Sequence, residues 1–438
     1  MITERVPLLL VAGALVVPWT PAPWLGAAVV VGALLVLVLA DLAVAAPLTT
    51  VALARDGDRV MWLDETATVR LTLTNGSPRR LRARVRDAWV PSAGAGPYSH
   101  RLDLEPGASG TVETTLRPTR RGDRPCVRVS LRSYGPLGLA YRQSRQRTDD
   151  RRTPPWTIRV LPRFTSRRYL PEKLARLRVL DGAVVTRGRG QGTEFDALRE
   201  YVVGDDVRSI DWRASARRSD VVVRSWRPER DRRVLCVLDT GRTSAVRVGD
   251  EPRLDAAIDA ALLLSSLAAR AGDRVDLLAV DTAVRASVAG VGQQALMWRL
   301  VSALAPLEPA LVETDFGLVA GEVLRRERKR SLVVLFTALE PAALGEGLLP
   351  VLARLAARHK VVVAAVHDQQ LARLTDTAGS GSVDDLYTAA AAHRALAERD
   401  RVRAALTRHG VEVVDAPVEL FASRVADAYL AMKATGRL

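Results

Sequence analysis

The sequence predicts a multidomain fold: an N-terminal transmembrane helical hairpin, an antiparallel β-sandwich and a doubly wound α/β domain. Three observations carry that expectation. Two uncharged apolar runs split by a Pro- and Trp-rich turn fill residues 6–40; the hydrophobic period then becomes two; beyond residue 233, short apolar runs alternate with amphipathic stretches. With 438 residues, 48% hydrophobic and 26% charged, the chain has apolar material for more than one core, which excludes wholesale disorder.

The hairpin comes first, over residues 1–47. Residues 6–17 carry no charge, nor do residues 24–40, and Pro18, Pro21 and Pro23 mark the turn between them. Lipid forces every backbone group to find an internal partner, so two helices joined tightly are the natural form, with Trp19 and Trp24 at the interface. A cleaved signal peptide with Arg5 as its basic end fits a single apolar run better than two. Arg5 precedes the first run, Arg55 and Arg59 follow the second, and the turn is uncharged, so both ends are expected on the cytoplasmic side of the cell membrane. Two cysteines, Cys126 and Cys236, suit a reducing compartment and exclude a disulfide scaffold.

Residues 48–162 alternate strictly in places, as in T-A-T-V-R-L-T-L-T at residues 66–74 before Asn75-Gly76-Ser77-Pro78, and further alternating runs end in turn residues. Several short strands of this kind predict an antiparallel sandwich serving as a spacer or interaction module. In residues 231–438 the strands are expected at 234–238, 275–280, 332–336, 361–366 and 411–414, with helices at 254–271, 293–304 and 316–328. Unbroken apolar strands between helices mean a parallel sheet covered on both faces.

Composition also excludes chemistry. Five scattered histidines give no zinc pattern, and no Lys follows a Gly-rich phosphate loop. A net charge of +15 invites nucleic acid, but residues 187–233 interleave 12 Arg with 9 Asp or Glu, a salt-bridged surface instead of a phosphate track. No nucleic-acid partner is expected.

The charged centre, residues 163–230, holds the most distinctive string, G-R-G-Q-G-T-E-F-D-A-L-R-E-Y-V-V-G-D-D-V-R-S-I-D-W-R-A-S-A-R-R-S-D. Gly190 and Gly192 precede Glu194 and Phe195, but no buried strand leads into them as a phosphate cradle requires. After Arg199, Tyr201 and Gly204, Asp205 is expected to cap a docking helix whose face carries Val207, Ile210 and Ala214. Arg208 and Asp211 would pair on its surface, ahead of Trp212 and Arg217. The alternative is a metal-dependent hydrolase using the carboxylates of Glu194, Asp205, Asp211 and Asp239. Arg residues within three positions of Asp205, Asp206 and Asp211 favour the structural reading.

The strings G-Q-G-T-E-F, L-R-E-Y, G-D-D-V-R-S-I-D-W and V-L-C-V-L-D-T-G-R-T, with R-R-G and P-L-G-L upstream, resemble the bacterial family named "domain of unknown function fifty-eight". That resemblance implies a membrane-anchored protein with a von Willebrand factor A-like domain, often associated with MoxR-type AAA+ ATPases, and no known reaction. It also implies where a divalent ion such as Mg would sit. Asp239 matches the first Asp of a D-x-S-x-S loop and Thr243 its second hydroxyl, Gly241 has lost the first, and Thr314 matches the loop Thr. Ala338 stands where a later Asp is expected, with Asp315 or Glu340 as substitutes. The expected role is a non-enzymatic adaptor that presents this face to the ATPase or its client.

Overall fold

The computed structural model describes residues 1–144, 153–187, 194–202, 206–218, 220–227, 232–340, 347–367, 369–375 and 382–437. The chain divides into two compact units, Met1–Leu161 and Pro162–Leu438.

In the first unit, α1 (Arg5–Val16) ends in a 3₁₀ turn at Val17–Trp19, and α2 (Pro23–Val44) follows. The 22 residues of α2 rise about 33 Å, enough for about 30 Å of hydrocarbon. The 12 residues of α1 rise only about 18 Å. Among the described residues one helix, α2, is therefore long and apolar enough to cross a membrane, and the expected second crossing is short. The two approach closely, because a Cβ on Gly13 would lie 2.4 Å from Val30 Cγ1.

The strands are β1 (Val51–Gly57), β2 (Val60–Trp62), β3 (Ala67–Asn75), β4 (Leu81–Trp89), β5 (Ala95–Gly96), β6 (His100–Leu104), β7 (Ser109–Leu116), β8 (Gly122–Tyr134), β9 (Tyr141–Gln143) and β10 (Thr157–Leu161). One sheet has the order β1-β3-β7-β5 and the other β2-β10-β8-β4-β6, with β9 beside β8. Alternation decides which side is core. Leu71 and Leu73 of β3 meet Leu81, Ala83 and Val85 of β4, and Val129 and Leu131 of β8, while the intervening residues face out. One pairing departs from the antiparallel expectation: β10 runs parallel to β2. Between the sheets, Arg55 donates to both oxygens of Asp87 at 2.7 and 3.2 Å. Trp89 Nε1 and Thr114 Oγ1 fill the remaining acceptor sites of Asp87.

Asp41, in the last turn of α2, is buried. Its Oδ1 accepts from Leu137 N at 2.7 Å, and its Oδ2 from Leu139 N and Ala140 N at 2.7 and 2.9 Å. The P-L-G-L loop between β8 and β9 is thereby tied to the apolar helix. Other contacts close the same joint. Tyr141 N donates to Met1 O, Thr3 N to Leu139 O, Arg5 Nη1 to Leu137 O and Arg142 to Leu42 O. Leu139 packs on Val6 and Leu34. Gly135 admits no side chain, since a Cβ there would lie 2.2 Å from Asp41 Oδ1.

The second unit opens with α3 (Leu170–Arg187), then β11 (Glu194–Glu200), α4 (Trp212–Arg218) and β12 (Val222–Arg227). Next come β13 (Arg233–Asp239), the small ribbon β14 (Arg247–Val248) and β15 (Glu251–Pro252), α5 (Arg253–Arg270), β16 (Arg274–Val280), β17 (Val284–Val288), α6 (Gln293–Leu304) and α7 (Phe316–Arg326). Beyond them lie β18 (Leu332–Phe336), α8 (Leu349–Arg358), β19 (Lys360–His367), α9 (Gln369–Thr375), α10 (Val383–Arg408), β20 (Glu412–Pro417) and α11 (Val418–Ala434).

The main sheet has the order β17-β16-β13-β18-β19-β20, parallel throughout except for β17, an antiparallel edge strand. Leu235, Val237, Val333 and Val363 point to a core closed by Phe316 and Val319 of α7 and Leu352 and Leu355 of α8. On the opposite face Cys236 meets Ser265 of α5, and Phe336 meets Phe421 of α11 edge to face. Burial on both faces explains why these strands read as unbroken apolar runs.

Replacing Asp41 by Ala leaves three amides without their acceptor. Their hydrogen exchange should accelerate roughly 100-fold, equivalent to about 3 kcal/mol of local stability. Unchanged protection at Leu137, Leu139 and Ala140 would contradict the joint.

Candidate functional site

Strand β13 ends at the carboxyl edge of the sheet, between β16 on one side and β18 on the other. The strand order reverses there, and a crevice opens at such a point. Asp239 sits in it, 3% exposed. Its Oδ1 accepts from Gly241 N at 2.8 Å and from Thr314 Oγ1; its Oδ2 accepts from Thr337 Oγ1 at 2.6 Å and Thr243 Oγ1 at 3.3 Å. Three hydroxyls and an amide crown one carboxylate, and Ser244 Oγ adds a bond to Asp239 O.

Asp239, Thr243 and Thr314 are thus brought together. Thr337 completes the crown and was not singled out from sequence, where it marked only the position before Ala338. Gly241 has its own reason to lack a hydroxyl: a Cβ there would lie 2.2 Å from Thr314 Oγ1 and 2.9 Å from Val312 O. The two substitute carboxylates point to other work. Asp315 Oδ1 accepts from Leu318 N at 2.9 Å and caps α7, and Glu340 pairs with Arg253 at 3.2 Å. Asp281, next to the crown through Thr240, is held by Arg285 at 2.7 Å. Burial would raise its pKa, but the Arg285 bond and the Ala283, Thr240 and Thr282 donors bring it below the usual carboxylate range.

The donor set therefore offers one carboxylate and three hydroxyls. Among the described residues no group of three or more His, Cys, Asp or Glu is placed to hold an ion. A hard cation such as Mg fits this crown only with a further carboxylate brought from outside.

The rim of the crevice is mixed. Arg242 pairs with Glu313 at 2.7 Å. Around that pair Leu311 is 80% exposed, and Val312 and Val246 are exposed as well. Arg253, whose Nη1 also donates to Thr243 O, is pushed below its ordinary pKa by burial, against the pull of Glu340. Along the same edge Asp415 of β20 accepts two bonds from Arg399 at 2.7 and 2.6 Å and meets His367 Nδ1 at 2.8 Å.

The charged string forms a separate arm. Strands β11 and β12 pair antiparallel, so Glu194, Phe195 and Arg199 lie on β11, and Tyr201 N donates to Val221 O at 2.8 Å. Gly190, Gly192, Gly204 and Asp205 lie outside the described residues. The expected docking helix is two pieces. Asp206 caps a 3₁₀ turn at Val207–Ser209 by accepting from Arg208 N. Ile210 is extended and bridges Val223, and Asp211 Oδ1 then accepts from Arg213 N and Ala214 N to start α4. A helix cannot continue through a residue bonded into a strand, so Asp211 caps the second piece. Trp212 stands 66% exposed on α4, and Arg208 and Arg217 are exposed with it. The four carboxylates of the hydrolase reading are not assembled by the described residues: Asp211 spends an oxygen on a helix cap and Asp239 is saturated by hydroxyls.

Asp415 supplies a pH-dependent test. Burial would raise its pKa, but bonds from Arg399 and His367 bring it down to about 2. Its contribution is complete above the unfolded value of about 3.9 and is lost as pH falls through about 2. Asp415→Asn should cost roughly 2 kcal/mol at neutral pH in urea unfolding. The gap from the parent should narrow as pH drops below about 4; a gap independent of pH would contradict the assignment.

Residues 197–413 match the family model described as "Protein of unknown function DUF58". Uncharacterized protein Rv1480 of Mycobacterium tuberculosis is 30% identical over 231 residues, covering 47% of this chain and 70% of that protein, and Uncharacterized protein Mb1516 of Mycobacterium bovis matches equally. Among solved structures, the CARDB domain of the PF1109 protein from Pyrococcus furiosus is 12% identical, covering 25% of this chain and 91% of its own, with a TM-score of 0.19. The FixG-related protein from Vibrio parahaemolyticus is 8% identical over 25% of this chain and 96% of its own, with a TM-score of 0.17. On the family match and the mycobacterial relatives, the chain belongs to the DUF58 family.

Proposed function

We propose that this chain is a membrane-anchored adaptor whose α/β domain, von Willebrand A-like in its arrangement, presents the Asp239 edge to a protein partner on the cytoplasmic side. The partner is a MoxR-type AAA+ ATPase or its client, the association that the family resemblance implies. Helix α2 supplies the anchor.

The observation that carries this reading is the pairing of a saturated interior with an apolar rim. Asp239 has its acceptors filled by Thr243, Thr314, Thr337 and Gly241, so no free lone pair is aimed at a substrate. Around it, Leu311, Val312 and Val246 expose apolar surface that only a contact would cover. An Asp or Glu from the partner can reach over the rim and, with Thr243, Thr314 and Thr337, complete a Mg site. That step makes the contact ion-dependent.

The test is retention of the ATPase by the full chain solubilised in detergent. Leu311→Asp should reduce retention at least about tenfold, as loss of a central apolar anchor does, while the thermal midpoint stays unchanged because Leu311 contributes little to the core. Chelation of Mg separates an ion-bridged contact, which is lost, from a direct one, which persists. Equal retention by Leu311→Asp and the parent would reject this edge as the docking face.

A further inference from the structure

The outward face of the sheet formed by β6, β4, β8 and β9 carries arginines that no carboxylate among the described residues neutralises. Along β4 the exposed positions are Arg82, Arg84 and Arg86, between buried Leu81, Ala83 and Val85. The register sets Arg84 directly opposite Arg101 on β6 and directly opposite Arg132 on β8. Three guanidinium groups therefore stand in one row across three adjacent strands. Like charges directly opposite one another on a sheet destabilise it.

Among the described residues no carboxylate pairs with any of the three. Asp103 and Glu105, on and beside β6, are both taken by Arg80 at 2.7 and 2.8 Å. Arg84 Nη2 reaches only Ser99 Oγ, at 3.5 Å. Arg132 donates to Gln143 Oε1 at 3.2 Å and lies 5.0 Å from the centre of the Tyr141 ring.

The row has a fixed place relative to α2. Strand β8 runs two residues past Arg132 to Tyr134, and the next residue, Gly135, begins the loop that Asp41 holds. At about 3.4 Å per residue the row stands roughly 10 Å from Gly135 and that loop. Leu137, half exposed, and the rings of Tyr134 and Tyr141, 5.5 Å apart, lie between. Moving away from the apolar helix, the surface passes from Leu137 to the two tyrosines, beside which Arg82 Nη1 donates to Pro136 O, and then to the arginine row. A bilayer presents hydrocarbon, interface and phosphate in that order.

We propose that the row of Arg84, Arg101 and Arg132 docks on the phosphate headgroups of anionic phospholipid in the bilayer that holds α2. Guanidinium forks match phosphate oxygens in pairs, and the lipid charge relieves the repulsion within the row. The inference rests on the membrane anchoring proposed above and adds a lipid class to it.

The experiment uses the full chain, purified in detergent with equal amounts of phosphatidylcholine and phosphatidylglycerol, and reads the bound lipids by mass spectrometry. The parent should carry phosphatidylglycerol enriched about tenfold or more over phosphatidylcholine. The triple variant R84Q/R101Q/R132Q should return the ratio to that of the mixture, and Arg159→Gln, which removes an arginine already paired with Asp123, should leave the enrichment intact. Should the triple variant fail to fold, R84Q alone, taken from the middle of the row, must still lower the enrichment. An unenriched parent, or a triple variant that keeps the enrichment, overturns the proposal, and displacement of the lipid by millimolar inorganic phosphate assigns the row to free phosphate and overturns the lipid source. Flotation of the parent with vesicles of phosphatidylcholine alone tests the anchor separately: failure to float overturns the anchoring, whereas flotation without enrichment overturns only the lipid docking.

Discussion

The carboxylate of Asp41 is the constraint on which the membrane end of this protein depends. An acidic residue in the last turn of a 22-residue apolar helix is costly to bury unless every lone pair is used. Here three backbone amides use it, from a loop nearly 100 positions away along the chain, and Gly135 is small enough to let them close in. Strands β8 and β9 and the apolar helix α2 are thereby joined without a hinge. That rigidity gives the Arg84 row a fixed place relative to α2; on a flexible linker the same arginines would have none.

Asp239 shows the same chemistry in the second unit. A buried carboxylate again has its acceptors filled by protein donors, in this case hydroxyls from three different loops and strand ends. Saturation fixes the conformation of the loops that carry Thr243 and Thr314, and it holds Leu311 and Val312 on an ordered rim. Preorganised apolar surface over a polar, satisfied base suits recognition, because little conformational freedom remains to be lost on contact.

Much of this was legible in the sequence, for physical reasons that differ by element. The helix at Gln293–Leu304 and the strand at Leu332–Phe336 have the bounds expected from periodicity, because burial on one stripe or on both faces imprints itself locally. Strand β17, V-R-A-S-V, was missed: as an edge strand its residues are mostly exposed, so no apolar run marks it. Asp41 reads as a blemish in an apolar run, since its partners are backbone amides that no side-chain pattern reveals. Thr337 is silent in the sequence for a related reason: strand-terminal threonines are common, and only the three-dimensional edge sets this one on Asp239. The motif string G-D-D-V-R-S-I-D-W was recognised as distinctive, but its break at Ile210 comes from pairing with Val223, a contact outside the string.

The most direct test of the claim that this protein works by contact is site-specific photocrosslinking in living cells, with a photoreactive residue in place of Leu311 and, as a control, in place of exposed Tyr387 on α10. The account predicts a discrete adduct from position 311, identified by mass spectrometry as an AAA+ ATPase or its client, and none of that mass from position 387. No adduct at 311, or the same adduct from both positions, would contradict it.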